Sequence, residues 1–270
     1  MRFLGPKINT YHMASMARSG ETLVLKVMAA HSKIVVIHNL ESTDSKQDLR
    51  TFRFFKSYKK TVIRASHRAV SRYGLKENQV LLLKQGVWEH RYPFNGFVLV
   101  RNPVSIYSSL KAYDRNDPKY DPEENFWFKN EERLSRWLKD MSPSLLRGFD
   151  KLAPVQQFAL FYNYRMNHLA SLGLPIIRYE DLVTDPENTF AAICRSMNLP
   201  FEKEMLHAHE DYGTDVKGHG DNLLSRPVDS TSLIKYKQNV SLEEFAECSD
   251  LTESTQKKFG YVCDDGQIKY

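Results

Sequence analysis

The chain has 270 residues, 41% of them hydrophobic, which is enough apolar material for one large core, and no segment has the composition of a disordered tail. The net charge of +5 favours anionic partners only weakly. Three widely spaced cysteines argue against a disulfide framework or a cysteine zinc site. The first residues carry no long apolar run, so we expect no signal peptide, no membrane insertion and a cytoplasmic location.

The first part of the chain predicts a strand, a turn and a helix. Ile8 to Ala14 is β-rich, Arg18-Ser19-Gly20 is typical of a turn, and Thr22 to His31 has the apolar spacing of a helix. Two short apolar runs follow, Ile34 to Ile37 and Val80 to Leu83, and each predicts a further strand.

A basic stretch lies between these two runs. From Arg53 to Arg72 there are seven basic residues and no acid, with aromatic side chains among or beside them. The pattern favours a helix with a solvated basic face and an aromatic packing face. The alternative is that the stretch forms a wall of a cleft for an anionic ligand.

The succession of strand, turn and helix recurs twice later in the chain. Gly96 to Val100 is followed by Arg101-Asn102-Pro103 and by a predicted helix from Val104 to Tyr113. Pro175 to Arg178 predicts another strand, and a helix is expected from Pro186 to about Asn198. Strands that alternate with helices predict an α/β fold with a mainly parallel sheet flanked by helices.

The three turns lie at the carboxyl ends of strands, where parallel sheets of this kind bind their ligands. The stretch from Asp114 to Ala153 does not follow the alternation and is rich in Asp, Glu, Pro, Trp and Phe. We therefore expect a single domain of residues 1–270 with a helical insertion or lid at about residues 114–153.

The first turn has the residues of an anion site. A glycine lets the backbone curl, and the free N–H groups of the following helix start point into one small space. Arg18 adds a permanent positive charge, and Ser19 and Thr22 add hydroxyl donors. The Walker A pattern is absent, so the turn suits a phosphate-type anion better than it suits a magnesium-dependent nucleotide triphosphatase.

The second turn offers a second cation and a second hydroxyl. Arg101 leaves a strand end, Pro103 begins a helix, and Ser109 lies two turns further along. Together Arg101 and Ser109 could clamp another phosphate. The simpler interpretation is that Arg101 is a surface ion-pair partner and Ser109 an ordinary helix residue.

These two motifs together resemble those of the sulfotransferases that use 3′-phosphoadenylyl sulfate (PAPS). Such enzymes carry an Arg/Lys-Ser-Gly-Thr-Thr-type loop, similar to Arg18 to Thr22, and an Arg-Asp-Pro segment with a downstream serine, similar to Arg101 to Pro103 and Ser109. The segment Arg178 to Leu182 (Arg-Tyr-Glu-Asp-Leu) is also similar to one common in this family. The resemblance covers most of the chain and is weakest at residues 114–153.

The resemblance implies a P-loop NTPase-like sulfotransferase fold and sulfuryl transfer from PAPS, with 3′-phosphoadenosine 5′-phosphate (PAP) as the product and no required metal. It places the 5′-phosphosulfate of the donor on Arg18, Ser19, Gly20, Glu21, Thr22 and Leu23. It places the 3′-phosphate on Arg101 and Ser109, and it suggests that Lys217 to Gly220 or Lys235 to Lys237 closes over that phosphate.

The sequence departs from the family pattern at two points. Glu21 stands where the family usually has threonine, so its side chain either points away from the donor or faces the acceptor, where it could accept a proton. Lys84 matches a lysine of cytosolic members but lacks the histidine two residues later. Other members of the family use a glutamate shortly after the first helix, so the resemblance favours Glu41, with His38 close by, as the general base, and the alternatives are Glu89 and His90.

The resemblance leaves the acceptor open, because carbohydrate, lipid, peptide tyrosine and small phenolic acceptors all use this scaffold. We expect a hydroxyl or amine on a small molecule or a glycan, and we expect no nucleic-acid partner. Aromatic residues of the insertion could stack on a sugar or phenol, although packing within a lid explains them equally well. Two other functions remain open at this point. One is a nucleotide or small-molecule kinase, which would need magnesium, and the other is a non-catalytic anion or nucleic-acid binding protein.

Overall fold

The computed structural model describes residues 9–37, 79–85, 95–115, 138, 141–214, 223–264 and 267–269. Its central feature is a five-stranded parallel sheet in the order β2-β3-β1-β4-β5, flanked by helices. These strands are β1 (Asn9–Ser15), β2 (Ile34–Ile37), β3 (Val80–Gln85), β4 (Gly96–Val100) and β5 (Ile176–Arg178). A separate antiparallel pair consists of β6 (Val262–Asp264) and β7 (Gln267–Lys269).

The described helices follow the strands along the chain. They are α1 (Glu21–Ala29), α2 (Pro103–Arg115), α3 (Pro143–Leu146), α4 (Pro154–Ala170), α5 (Tyr179–Thr184), α6 (Pro186–Ser196), α7 (Tyr236–Asn239) and α8 (Leu242–Lys258). Three short 3-10 turns lie at Phe149–Lys151, Lys203–His207 and Thr231–Ile234. None of the helices among the described residues is long and apolar enough to cross a membrane.

The run of leucines in β3 fits its place between two other strands of the sheet. β3 pairs with β1 in parallel from Asn9↔Val80 to Ala14↔Gln85, and with β2 from Ile34↔Val80 to Ile37↔Leu83. The residues 81–83 are fully buried. A strand that is covered on both faces has no polar alternation, which is why this run predicts a strand from its apolar character alone.

The described chain divides into two compact units. One unit contains β1, α1, β2, β3, the beginning of β4 and α6. Within it the ammonium of the buried Lys26 donates to the main-chain oxygens of Leu224, at 3.1 Å, and Arg226, at 2.7 Å. These two carbonyl acceptors offset the cost of removing the Lys26 charge from water.

The other unit contains the turn at residues 16–20, the end of β4, β5, α2 to α5, α7, α8 and the β6–β7 pair. Glu244 joins two of its helices, because it accepts hydrogen bonds from the Tyr107 hydroxyl, at 3.0 Å, and the Lys111 ammonium, at 2.7 Å. The same carboxylate accepts from the backbone N–H of Ser241, whose hydroxyl accepts from Glu244 N–H. This reciprocal capping box begins α8.

All five predicted strands and the three predicted helices are confirmed, with ends that differ by at most two residues. The fold class is therefore confirmed. The sequence analysis did not predict α4 or α8, the two longest helices described. The prediction that residues 1–270 form a single domain stays a prediction. The basic stretch at residues 53–72 lies outside the described residues. Residues 116–137, which make up much of the predicted insertion, also lie outside them.

Gly96 provides a test of how tightly the sheet is packed. It opens β4 at a φ of +150°, and a Cβ there would lie 1.9 Å from the main-chain oxygen of His12. We expect Gly96→Ala to lower the free energy of unfolding by about 3 kcal/mol or more, because the backbone must move apart. Urea denaturation measures the loss.

Gly173 is the matched control for this substitution. Its φ is +65°, but no heavy atom of the described residues, apart from its own chain neighbours, lies within 4 Å of an added Cβ. Gly173→Ala should therefore cost only the backbone strain, about 1 kcal/mol. If both variants lost the same free energy of unfolding, the close packing between Gly96 and the β1 backbone at His12 would be contradicted.

Candidate functional site

The turn between β1 and α1 uses two left-handed residues to reverse the chain. Arg18 has a φ of +72° and Gly20 a φ of +99°. Ser19 N–H donates to the Met16 carbonyl oxygen at 3.3 Å, which closes the turn before α1 begins at Glu21. The first N–H groups of a helix have no partner within the helix. The turn therefore leads directly into a set of N–H donors suited to an anion.

The glycine of this turn is required by a neighbouring aromatic ring. A Cβ at Gly20 would lie 2.2 Å from Cδ2 of Tyr179. Real Cβ atoms do not approach ring carbons so closely, and the φ of +99° is itself unfavourable for other residues. The Tyr179 ring thus occupies the space that a side chain at residue 20 would need.

Ser19 contributes a hydroxyl that is not satisfied within the described residues. The residue is fully buried, and its Oγ has no hydrogen-bond partner among them. A buried hydroxyl without a partner costs free energy, on the order of 1–3 kcal/mol. A ligand oxygen at the turn would remove this cost, so Ser19 fits an anion-binding role.

Three of the residues predicted from the sequence lie together. Arg18 Nε donates to Ser109 Oγ at 2.9 Å, although 91 positions separate them. Arg101 Nη1 donates to the main-chain oxygen of Arg18 at 3.1 Å. The first and second motifs therefore form one cluster with two guanidinium groups and a hydroxyl, which is well suited to phosphate oxygens.

Arg101 is held from several directions. Its guanidinium lies 4.3 Å from the centre of the Tyr179 ring, and its Nη2 lies 3.5 Å from the Ser232 main-chain oxygen. Its Nε is buried and has no hydrogen-bond partner among the described residues. Stacking on the ring fixes the plane of the guanidinium and leaves that N–H available to a ligand.

Asn102 and Pro103 shape the start of α2. Asn102 is fully buried, and its Oδ1 accepts a hydrogen bond from Val104 N–H at 2.9 Å. An asparagine before a helix caps a free N–H in this way, and proline is favoured as the first helical residue. Their role in the motif is to anchor the helix that carries Ser109.

The Arg-Tyr-Glu-Asp segment supports the same cluster. Glu180 is buried and accepts hydrogen bonds from Asn102 N–H, at 3.1 Å, and the Tyr261 hydroxyl, at 2.7 Å. Burial raises the pKa of the Glu180 carboxyl, an effect that these hydrogen bonds and Arg101 partly oppose. Arg178 and Asp181 form a paired contact, with two N–O distances of 2.8 Å.

Glu21 belongs to a second cluster, on the unit that contains α1. Its Oε1 accepts a hydrogen bond from Ser15 Oγ at 3.3 Å, and the Lys84 ammonium lies 3.8 Å from the same oxygen. Two residues that the sequence analysis discussed separately, Glu21 and Lys84, thus form an ion pair. Thr22 and Leu23 follow in the first turn of α1 and are partly exposed.

The remaining sequence predictions for the site lie outside the described residues. This applies to the preferred base Glu41 with His38, to Glu89 and His90, and to Lys217 to Gly220. The alternative loop at Lys235 to Lys237 is described, at the start of α7. No group of three or more His, Cys, Asp or Glu side chains in the described part of the chain is arranged to hold a metal ion.

Sequence reasoning missed the roles of Tyr179, Ser232 and Ser15 in these clusters. Tyr179 touches both Gly20 and Arg101, and its hydroxyl lies 2.7 Å from Ser232 Oγ. Ser15, the last residue of β1, donates to Glu21 and was not singled out from the sequence. The sequence signals for Tyr179 were its place in the Arg-Tyr-Glu-Asp-Leu segment and its position at the carboxyl end of β5, beside the other turns of the sheet.

Comparison with known proteins bears on the fold. No protein-family model and no curated protein matches the sequence. The structure is similar to the sulfotransferase domain from the Synechococcus PCC 7002 olefin synthase, with a TM-score of 0.53 and 17% identity over 96% of this chain and 97% of that one. The chain therefore has the P-loop-like sulfotransferase fold that its motifs predicted.

Two further solved structures are similar at lower TM-scores. One is the sulfotransferase domain from the curacin biosynthetic pathway, with a TM-score of 0.46 and 20% identity over 96% of this chain and 100% of that one. The other is mouse sulfotransferase SULT7A1 complexed with PAP, with a TM-score of 0.49 and 13% identity over 92% of this chain and 85% of that one.

Glu180 makes the stability of this region depend on pH. Because its folded-state pKa is raised above the ordinary value of 4.5, its contribution to stability is fullest below that value and is lost as the pH rises through the folded-state pKa. In Glu180→Gln the side chain has no titratable group but still offers polar atoms for hydrogen bonds with Asn102 N–H and the Tyr261 hydroxyl. Between about pH 4 and pH 7.5 we expect wild type to lose more stability than this variant in urea unfolding. If the free energies of unfolding of wild type and Glu180→Gln changed in parallel with pH, the raised pKa of Glu180 would be contradicted.

Proposed function

We propose that this protein is a sulfotransferase that moves a sulfuryl group from PAPS to a hydroxyl or amine of an acceptor. The observation that carries the proposal is the convergence of Arg18, Arg101 and Ser109 beside a turn with a buried, unsatisfied Ser19 hydroxyl. PAPS presents two anionic groups, a 3′-phosphate and a 5′-phosphosulfate. The cluster supplies two permanent cations together with hydroxyl donors.

The donor would use the two motifs for its two ends. The 5′-phosphosulfate would accept hydrogen bonds from the N–H groups of Gly20, Glu21 and Thr22 and from the Ser19 hydroxyl. The 3′-phosphate would bind Arg101 and Ser109. Since Arg18 already contacts Ser109 and Arg101 through hydrogen bonds, one arginine connects the two ends. Leu23 would contribute through the first turn of α1.

Transfer needs positioning and charge stabilisation more than covalent help. The acceptor oxygen or nitrogen forms a bond to sulfur while the bond from sulfur to the bridging oxygen of the 5′-phosphate breaks, in line. Negative charge builds on that bridging oxygen, where Arg18 and the N–H groups at the start of α1 would stabilise it. The acceptor proton passes to a base, and PAP leaves as the product. Of the predicted catalytic residues Glu41, His38 and Lys84, only Lys84 is described.

The proposal also covers the acceptor class, the metal requirement and the cellular location. The acceptor is a small molecule or a glycan, the reaction needs no metal, and the protein works in the cytoplasm. No observation favours a kinase over this function, since Arg18-Ser19-Gly20 stands in place of the Walker lysine. Magnesium dependence separates the two activities, because phosphoryl transfer needs the ion.

Titration with PAP in a calorimeter, without magnesium, tests the proposal directly. We expect wild type to bind PAP at micromolar concentrations, and we expect Arg18→Ala and Arg101→Ala each to weaken binding by about 30-fold or more, because each removes a charge-assisted contact to phosphate.

Arg147 is the matched control, since it is an exposed arginine in the same unit. Arg147→Ala should bind PAP as wild type does, and thermal melting should show that all four proteins are folded. A folded wild type that binds ATP with magnesium and does not bind PAP would overturn the sulfotransferase proposal.

A further inference from the structure

A hydrogen bond joins the Tyr179 hydroxyl to the Ser232 hydroxyl, beside the Arg101 guanidinium. The two oxygens are 2.7 Å apart, although 53 positions separate the residues in the chain, and either oxygen can be the donor. This separation is typical of a well-formed bond between hydroxyl groups. Tyr179 is buried and Ser232 is half-buried, and all three residues belong to the same compact unit.

The backbone around Ser232 is held by its own hydrogen bonds. Ser232 is the second residue of the last 3-10 turn, in which Leu233 N–H donates to the Ser230 main-chain oxygen at 2.9 Å. Asp229 fixes the start of this turn, because its Oδ1 accepts from the N–H of Thr231, at 2.9 Å, and from its hydroxyl, at 2.6 Å. An aspartate that bonds two residues ahead in this way stabilises a turn. Ser232 therefore presents its hydroxyl and its carbonyl from a fixed backbone.

Stacking on a ring does not by itself fix the direction of the Arg101 N–H groups. The guanidinium lies 4.3 Å from the centre of the Tyr179 ring, and a planar group stacked on a ring is still able to turn in its own plane. Contacts at the edge of the guanidinium oppose this rotation. Nη1 donates to the Arg18 main-chain oxygen at 3.1 Å, and Nη2 lies 3.5 Å from the Ser232 main-chain oxygen. Ser232 thus acts on the ring through its hydroxyl and on the guanidinium through its carbonyl.

The direction of one N–H group decides whether Arg101 meets a ligand well. Its Nε is buried and has no hydrogen-bond partner among the described residues. The five N–H donors of a guanidinium share one plane, so a rotation of the group moves all of them together. A phosphate oxygen bonded to this N–H would remove the cost of burying it without a partner. Because hydrogen bonds weaken as their angle departs from linearity, a rotated guanidinium would bind that oxygen less strongly.

We propose that Ser232 is a positioning residue for Arg101, because its hydroxyl, bonded to Tyr179, keeps the guanidinium turned so that Nε donates to the 3′-phosphate of the donor. The inference rests on the proposed function, since it assigns a role within the same site. Ser232 acts through Arg101 and not as a ligand of the nucleotide. Its consequence is that Ser232 contributes to the preference for nucleotides with a 3′-phosphate and not to the binding of the 5′ end.

Calorimetric binding of two nucleotides to two variants tests this inference. PAP carries both phosphates, whereas adenosine 5′-phosphate lacks the 3′-phosphate. Ser232→Ala removes one hydroxyl of the bond, and Tyr179→Phe removes the other while keeping the ring on which Arg101 stacks. Each variant should bind PAP about fivefold more weakly, the change expected when one neutral hydrogen bond is lost. Neither should change the affinity for adenosine 5′-phosphate by more than about twofold.

Two further variants separate positioning from a general loss of structure. If the two hydroxyls act only through their shared bond, the double variant Ser232→Ala/Tyr179→Phe should also bind PAP about fivefold more weakly, and not about 25-fold. Ser232→Thr keeps a hydroxyl and should bind PAP within about twofold of wild type. Losses that multiply in the double variant, or a threonine variant as weak as the alanine variant, would overturn the inference.

Ser230→Ala is the matched control. Ser230 is an exposed serine two residues before Ser232, and its side chain makes no capping hydrogen bond at the start of the 3-10 turn. This variant should bind both nucleotides as wild type does. If wild type binds PAP and Ser232→Ala binds it equally well, the inference is wrong while the proposed function stands. Equal weakening for both nucleotides would also overturn the inference, since it would indicate a general distortion. If a folded wild type does not bind PAP, the proposed function fails and the inference fails with it.

Folding of the variants is checked by thermal melting. Alanine and phenylalanine each remove a single oxygen atom and leave the rest of the side chain in place, so a large change in packing is not expected. Should Ser232→Ala not fold, Tyr179→Phe decides, because a loss of affinity for PAP alone supports the inference and unchanged PAP binding overturns it.

Discussion

The packing of one aromatic ring against one glycine is the constraint on which the candidate site depends. The Tyr179 ring fills the space beside Gly20, stacks on the Arg101 guanidinium and places its hydroxyl next to Ser232. A tyrosine side chain has few rotatable bonds, so groups packed on it keep their separation at little entropic cost. The curled turn and the arginine from the next motif are therefore positioned by the same side chain.

Much of the fold and part of the site followed from local patterns in the sequence. A run such as Val80 to Leu83 predicts a buried strand because apolar character is a property of the residues themselves. The suitability of Arg18, Ser19 and Gly20 for an anion followed from the turn and the helix after it. Helix geometry placed Ser109 near Arg101, whereas in the structure its hydroxyl accepts a hydrogen bond from Arg18. The start of α8 was also predictable, since Ser241 and Glu244 have the spacing of a capping box, but that signal was overlooked.

What could not be predicted depends on residues far apart in the chain. The approach of Tyr179 to Gly20 joins positions separated by 159 residues in the sequence, and no periodicity encodes it. The pairing of Glu21 with Lys84 likewise follows from how β3 lies beside β1, and sequence reasoning left the direction of the Glu21 side chain open. Such contacts are fixed by the tertiary fold, so local patterns name the residues without saying which of them meet.

The Tyr261 hydroxyl gives the last part of the chain a share in the site. It donates to the buried Glu180, which also accepts the N–H of Asn102, the residue after Arg101. A chain shortened before Tyr261 would leave that carboxyl in an apolar interior with one donor fewer. Truncations and affinity tags that replace these residues would thus disturb Arg101, the arginine proposed to bind a phosphate, about 160 positions upstream, so the carboxyl-terminal segment is not a neutral place for protein engineering.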